Sequence, residues 1–241
     1  MLKDHRAQPT TRTMDVGLSI AASGMIAEQV REDQLANDLA NASTPGYKPT
    51  VDVQSAFGAL LMQSQGQSVG TIDTNTEITK QVPNMGSGAL QFTNEPLDFA
   101  VAGTGFFAVR TAAGVRYTRD GQFTQSAQGD LVDANGNDVL SQSGQPVKVG
   151  ADGTVAPSAL GVFNLPKPVL EGNNLFSGAT GGKATGIVQG GTLESSGVDS
   201  VTTMVDMIAS LNTYQAGQQA IQAINQTMQE SASSAGALSG P

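Results

Sequence analysis

The sequence predicts an α+β chain: terminal N- and C-helices pairing as a coiled-coil-like bundle, with an inserted, mainly antiparallel β domain. Three observations lead there. Of 29 glycines, 21 lie between Gly66 and Gly191 while the stretches 25–45 and 198–216 hold none, so helix-compatible ends flank a turn-rich middle. Apolar residues at both ends recur at steps of three and four, whereas the middle alternates in short runs bounded by Gly, Pro, Asn and Asp. Only 14% of residues are charged and 5% aromatic, which suits β and loop structure on a modest aromatic core.

Taken in order, residues 1–13 (MLKDHRAQPTTRT) read as a polar leader, expected to be disordered. They carry Lys3, Arg6 and Arg12 but no apolar h-region, so no cleavable Sec signal is expected, and Met14 is a candidate start. A helix is expected over 14–45. Its row Leu18, Ala22, Met25, Gln29, Glu32, Ala36 and Leu39 has the spacing of a coiled-coil seam. Such a row is marginal until its apolar face finds a partner.

The connector 46–95 is expected to be extended, followed by a β domain over 96–165 and a return connector over 166–196. Leu97–Thr111 reads as a Gly-punctuated strand pair, with Asp120-Gly121 and Asn135-Gly136 as hairpin signals. A C-terminal helix is expected over 197–235, before a tail at 236–241. Its apolar residues are Val201, Met204, Ile208 and Leu211, then Tyr214, Ile221, Ile224 and Met228, with a slip of phase between Leu211 and Tyr214. Ser196 or Asp199 is the candidate cap, and the serine-rich run from Ser231 the expected end. A long helix rich in Gln, Asn, Ser and Thr but poor in charge predicts burial among neighbouring helices.

Charge and composition exclude several classes of function. A net charge of −9 and a pI near 4.4 give no basic field for phosphates, so no nucleic-acid partner is expected. No apolar run reaches the length of a spanning helix, so no membrane insertion is expected. With no Cys and only His5, thiol nucleophiles, Cys/His zinc sites and Ser-His-Asp triads drop out, and no metal, cofactor or catalytic residue is expected. Gly103-Thr104-Gly105 lacks the third glycine and following helix of a dinucleotide loop and reads as a tight turn. The pairs Asp98/Asp120 and Asp130/Asp133 are the conceivable carboxylates of a secreted carbohydrate-active β enzyme, but carboxylates in Gly/Asn-rich turns are more often turn-formers. Asp130–Gly136 also misses the spacing and closing Glu of a calcium loop.

The informative stretch is Leu35–Lys48, LANDLANASTPGYK, where helix-compatible sequence runs into a Pro45-Gly46 stop. It resembles the N-terminal signature of bacterial flagellar axial proteins, the rod and hook family. SIAASGM (Ser19–Met25), the central NEPLDFAVAGTGFFAV and VRYTRDGQFT stretches, and the C-terminal LESSGVDSVTTMVDMIASLNTYQAGQQAIQ resemble further motifs of that family in the same order. Chain length and the YTRDGxF pattern are similar to the FlgF/FlgG class of basal-body rod proteins, and the short segment Gln63–Asn94 leans towards FlgF. This sequence departs from the pattern at Glu32, at Asp38 and at Gly217, which is expected to interrupt the last helix.

The resemblance implies a structural, non-enzymatic subunit of the flagellar basal-body rod that polymerises through its terminal helices into a helical tube and passes motor torque to the hook. A hook-type axial subunit is the alternative. Implied partners are further copies, other rod and hook proteins, and the flagellar type III export apparatus; the implied place is the basal body. The expected packing stripe is Leu18, Met25, Leu35, Leu39, Val201, Ile208, Leu211, Ile221 and Ile224. Asn37, Asn41, Gly46 and Tyr47 are expected to shape the turn that joins helix to β domain.

Overall fold

The computed structural model describes residues 10–51, 82–172 and 174–237. Most of the polar leader, the connector over 52–81 with most of the Gln63–Asn94 segment, and the last four tail residues lie outside the described residues. The chain divides into two compact units. The helical unit holds the first helix up to Asn37 and the last helix from Val201; the β unit holds the described residues from Asp38 to Ser200.

In the helical unit, α1 runs Thr10–Ala40 and α2 runs Ser200–Ala237. At 38 residues, α2 is roughly 57 Å long at 1.5 Å per residue. It continues through the serine-rich run expected to end it, where no Pro interrupts the backbone and the Ser233 hydroxyl donates within the helix to the Glu230 carbonyl at 2.9 Å. Two contacts set the helices antiparallel. Ser210 Oγ donates to Glu28 Oε2 at 2.8 Å, and further along α2, Gly217 faces Met25, whose Cγ lies 2.9 Å from where a Cβ would stand. Gly217 therefore does not interrupt α2, contrary to expectation: the absent side chain makes room for Met25.

The strands of the β unit are β1 (Thr50–Val51), β2 (Val82–Pro83), β3 (Leu90–Phe92), β4 (Phe99–Ala102), β5 (Phe106–Thr111), β6 (Gly114–Thr118), β7 (Thr124–Gln125), β8 (Leu131–Val132) and β9 (Asp138–Leu140). They are followed by β10 (Val162–Phe163), β11 (Val169–Leu170), β12 (Leu175–Ser177), β13 (Ile187–Gly190) and β14 (Thr192–Glu194). All pairings are antiparallel among the described residues: a main sheet ordered β11-β12-β6-β5-β9-β8-β7 with β10 on β5, and the pairs β13-β4, β14-β3 and β1-β2.

Two local expectations are corrected. β4 and β5 do not pair with each other: β4 takes β13 while β5 takes β6 and β9, so Gly103-Thr104-Gly105 carries the chain between sheets. Asp120-Gly121 closes no hairpin, since Phe99 N donates to Gly121 O at 3.0 Å and lays that segment beside β4. Asn135-Gly136 does join paired strands, β8 and β9, in a turn that Asp133 holds through the Asn135 and Asn137 amides at 2.9 and 2.8 Å.

β5 explains the core. Phe107 and Val109 enter one cluster with Phe99, Phe123, Leu131 and Val139, while Phe106 and Ala108 enter another with Tyr117, Leu140 and Phe176. The strand is covered on both faces, which is why FFAV reads as a continuous apolar run. Phe107 meets Phe123 edge-on at 5.3 Å and Phe106 meets Phe176 at 5.3 Å.

Candidate functional site

Two features stand out, one in each unit. In the β unit, the motif that ends α1 docks onto the start of the segment that leads into α2. α1 ends at Ala40, ahead of Pro45 and Gly46, and Gly46 takes φ +65° with its α-carbon so close to Arg119 that a Cβ would stand 2.3 Å from the Arg119 carbonyl. Gly46 N donates to Glu194 O at 2.7 Å and Gly197 N to Tyr47 O at 2.9 Å. The two ends of the β unit are thereby stitched by backbone bonds.

This stitching places Lys48 beside β14. Lys48 Nζ donates to Glu194 Oε1 at 2.6 Å and to Gly86 O at 2.7 Å. Glu194 Oε1 also accepts from Gly88 N at 2.7 Å, and Oε2 accepts from Arg119 Nη1 at 3.1 Å. Arg119 Nη2 donates to Gly103 O at 2.8 Å, and the guanidinium lies 5.2 Å from the Phe106 ring centre. Lys48 and Glu194 are each 1% exposed and Arg119 5%. One carboxylate thus serves two buried cations, an arrangement tolerated only when every oxygen is well bonded.

Tyr47 adds a second buried bond, its hydroxyl donating to Asp38 Oδ1 at 2.8 Å. Burial, then the bond to Asp38 and its charge, push the phenol well above its ordinary range. The cluster binds three distant stretches, GYK, YTRDG and LESSG, into one clasp.

Of the expected turn residues, Gly46 and Tyr47 are buried in this clasp, Asn41 accepts from Thr44 Oγ1 at 3.2 Å, and Asn37 is exposed. Sequence reasoning passed over Lys48, Arg119 and Glu194. The available signal was scarcity: in a chain only 14% charged, each of the three stands inside a motif that carried the resemblance.

The other feature is the division of α2 into faces. Val201, Met204, Val205, Ile208 and Leu211 are exposed, Val201 by 73% and Ile208 by 60%. On the opposite side Thr203 and Ser210 are buried, and Met207, Tyr214, Gly217, Ile221, Ile224 and Met228 half-buried. The slip between Leu211 and Tyr214 is therefore a change of face. On α1, Leu18, Met25, Leu35 and Leu39 are half-buried, while Gln29 and Ala36 of the expected row are exposed.

Among the carboxylates weighed for hydrolysis, Asp130 pairs with Lys148 at 2.8 Å and Asp133 bonds Asn135 and Asn137. Asp120 is pushed up to about 6 by burial, with a bond from the Gln122 amide opposing and the Asp133 and Asp98 charges adding. Among the described residues no cluster of His, Cys, Asp or Glu could hold a metal ion, and no helix is long and apolar enough to cross a membrane.

Comparison with known proteins matches three stretches to flagellar families. Residues 18–48 match a flagella basal body rod protein family, 100–157 the flagellar hook protein FlgE/F/G D1 domain, and 189–234 the flagellar basal body rod FlgEFG protein C-terminal family. These spans contain Lys48, Arg119 and Glu194 respectively. Full-length relatives agree. The flagellar hook-basal body complex protein FlhO of Bacillus subtilis is 28% identical, covering 92% of this chain and 99% of its own. The flagellar basal-body rod protein FlgF of Caulobacter vibrioides is 29% identical over 84% of this chain and 90% of its own. The flagellar basal-body rod protein FlgG of Agrobacterium fabrum is 29% identical over 82% and 91%.

Proposed function

We propose, from the premise that this chain belongs to the flagellar basal-body rod and hook family in its FlgF/FlgG class, that its terminal helices are its polymerising surface. As a family member it is a structural subunit of the basal-body rod. The helices pair within a subunit in a coiled-coil-like manner and pack against neighbouring copies and other rod and hook proteins. Contacts between unlike surfaces related by a non-closing rotation give a helical tube, which passes motor torque to the hook. The subunit reaches the basal body through the flagellar type III export apparatus, and it catalyses no reaction.

The observation that carries this reading is the row of exposed apolar side chains on α2, in a helix whose other face already touches α1. An apolar row left in water gains nothing; covered by a neighbour, each side chain contributes about 1–2 kcal/mol. The stripe residues Leu18, Met25, Leu35, Ile221 and Ile224 then support the helix pair, Leu39 falls in the β unit, and Val201, Ile208 and Leu211 face outward. Ile208→Asp is the test: the purified chain is expected to stay folded while rod assembly and motility are lost. Normal motility with Ile208→Asp overturns the reading. Glycan hydrolysis abolished by Asp98→Asn or Asp120→Asn would establish the enzyme instead.

A further inference from the structure

We infer that the clasp is a mechanical clamp: the stretches that join the β unit to α1 and α2 run side by side in one direction, so that tension between the helices shears all their cross-links together. The inference rests on the torque reading of the rod and deepens it by naming the part of the subunit that carries the force.

Three contacts fix the direction. Gly46 N donates to Glu194 O at 2.7 Å and Gly197 N to Tyr47 O at 2.9 Å. Gly197 also lies against Pro49, whose Cδ is 2.9 Å from where a Cβ would stand. Residue 46 thus meets 194 and residue 49 meets 197, which is a parallel arrangement. The chain from α1 enters this overlap at its 46 end, and the chain to α2 leaves it at the 197 end. Drawing those two ends apart slides one stretch along the other. A sliding load falls on every cross-link at once, whereas a load that lifts both stretches at one end falls on the first bond alone.

The side chains suit that task. Lys48 stands on one stretch and Glu194 on the other, with Nζ and Oε1 2.6 Å apart and each residue 1% exposed. As a source of stability, apolar side chains of the same size would serve as well. What an ion pair adds is direction: apolar packing tolerates sliding because it is non-directional, while a hydrogen-bonded pair is lost after a displacement of about 1 Å. Burial keeps water from replacing the bond as it lengthens. Arg119 and the Gly88 amide hold Glu194, and the Gly86 carbonyl holds Lys48, so each stretch is also anchored to the body of the β unit.

The chain has no Cys, so introduced thiols are the sole points of attachment for DNA handles in optical tweezers. Every pulled chain is full-length and carries Gly217→Leu, which crowds Met25 and takes the helix pair out of the path of the force. Handles at Ser43→Cys and Val201→Cys shear the clamp. Handles at Ser43→Cys and Glu95→Cys peel it, since Asn94 N bonds Gly191 O beside the 194 end. The sheared β unit is expected to hold to a clearly higher force than the peeled one, then to release about 150 residues, roughly 500 Å at about 3.5 Å each, in one step. Glu194→Gln is expected to raise the sheared unfolding rate, extrapolated to zero force, roughly tenfold or more. Val139→Ala, in the core cluster, is expected to lower the urea midpoint but to leave the shear force unchanged. The comparison of directions needs no change to the clasp, so it decides even where Glu194→Gln does not fold. Equal forces in the two directions, release in several smaller steps, or an equal loss of force from Val139→Ala and Glu194→Gln overturns the clamp and leaves the rod reading standing. A tagged chain absent from basal bodies overturns the rod reading, and with it the load this clamp is inferred to carry.

Discussion

In the β unit two cations share one carboxylate almost out of contact with water, whereas in the helical unit a row of apolar side chains faces solvent. Each region does what is costly in isolation. The β unit offsets its cost internally, with hydrogen bonds from Lys48, Arg119 and Gly88 to Glu194 and two aromatic clusters around β5. The helical unit leaves its cost open. The difference teaches where completion lies: the β unit is finished within one chain, and the helices are finished by neighbours.

The comparison breaks most visibly at Glu194. Glu194→Gln removes the charge between two buried cations, with an expected loss of about 3–5 kcal/mol, read as a lowered midpoint in urea unfolding of the purified chain. A loss under about 1 kcal/mol contradicts the clasp.

Next is pH. The Asp120 carboxyl holds its proton up to about 6 in the folded chain against 3.8 ordinarily, so the folded state binds that proton more tightly. Stability from this group is full below about pH 4 and is lost as pH rises through about 6. Asp120→Asn keeps an acceptor for the Gln122 amide and should flatten the profile in that window. The difference, about 2 kcal/mol after allowance for partial exposure, is read from thermal midpoints at pH 4 and pH 7.

Tyr47→Phe leaves the Asp38 oxygen without its hydroxyl partner, at about 1–2 kcal/mol. Glu194→Gln and Tyr47→Phe act on one clasp, so a double variant less damaged than the sum of the two sharpens the account. The smallest effect on folding belongs to Ile208→Asp, within about 0.5 kcal/mol for the monomer, although its effect on assembly is the largest. That inversion is the comparison in its sharpest form.

Much of the architecture was legible because it rests on local chemistry. Gly-poor, periodic ends specify α1 and α2, and Asn135-Gly136 specifies its turn. What escaped was non-local. Asp120-Gly121 has the residues of a hairpin, but its partner is the Phe99 backbone of another strand. Strands β11 to β14 fall in the stretch read as a return connector, since short strands such as Thr192–Glu194 acquire their identity only from pairing with Leu90–Phe92. Gly217 looks like a break until Met25, far away in sequence, is seen to face it. The resemblance pointed to Gly46 and Tyr47 within the site, but Lys48, Arg119 and Glu194 meet across distances that spacing cannot convey. The phase slip after Leu211 was visible, yet its meaning as a change of face needed the position of α1.

Amide hydrogen exchange, compared between the purified monomer and assembled rods, tests the division most directly. The account predicts that β5 and β6 are protected in both, while α2 exchanges rapidly in the monomer and becomes protected on assembly. Equal, strong protection of α2 in the monomer would contradict it.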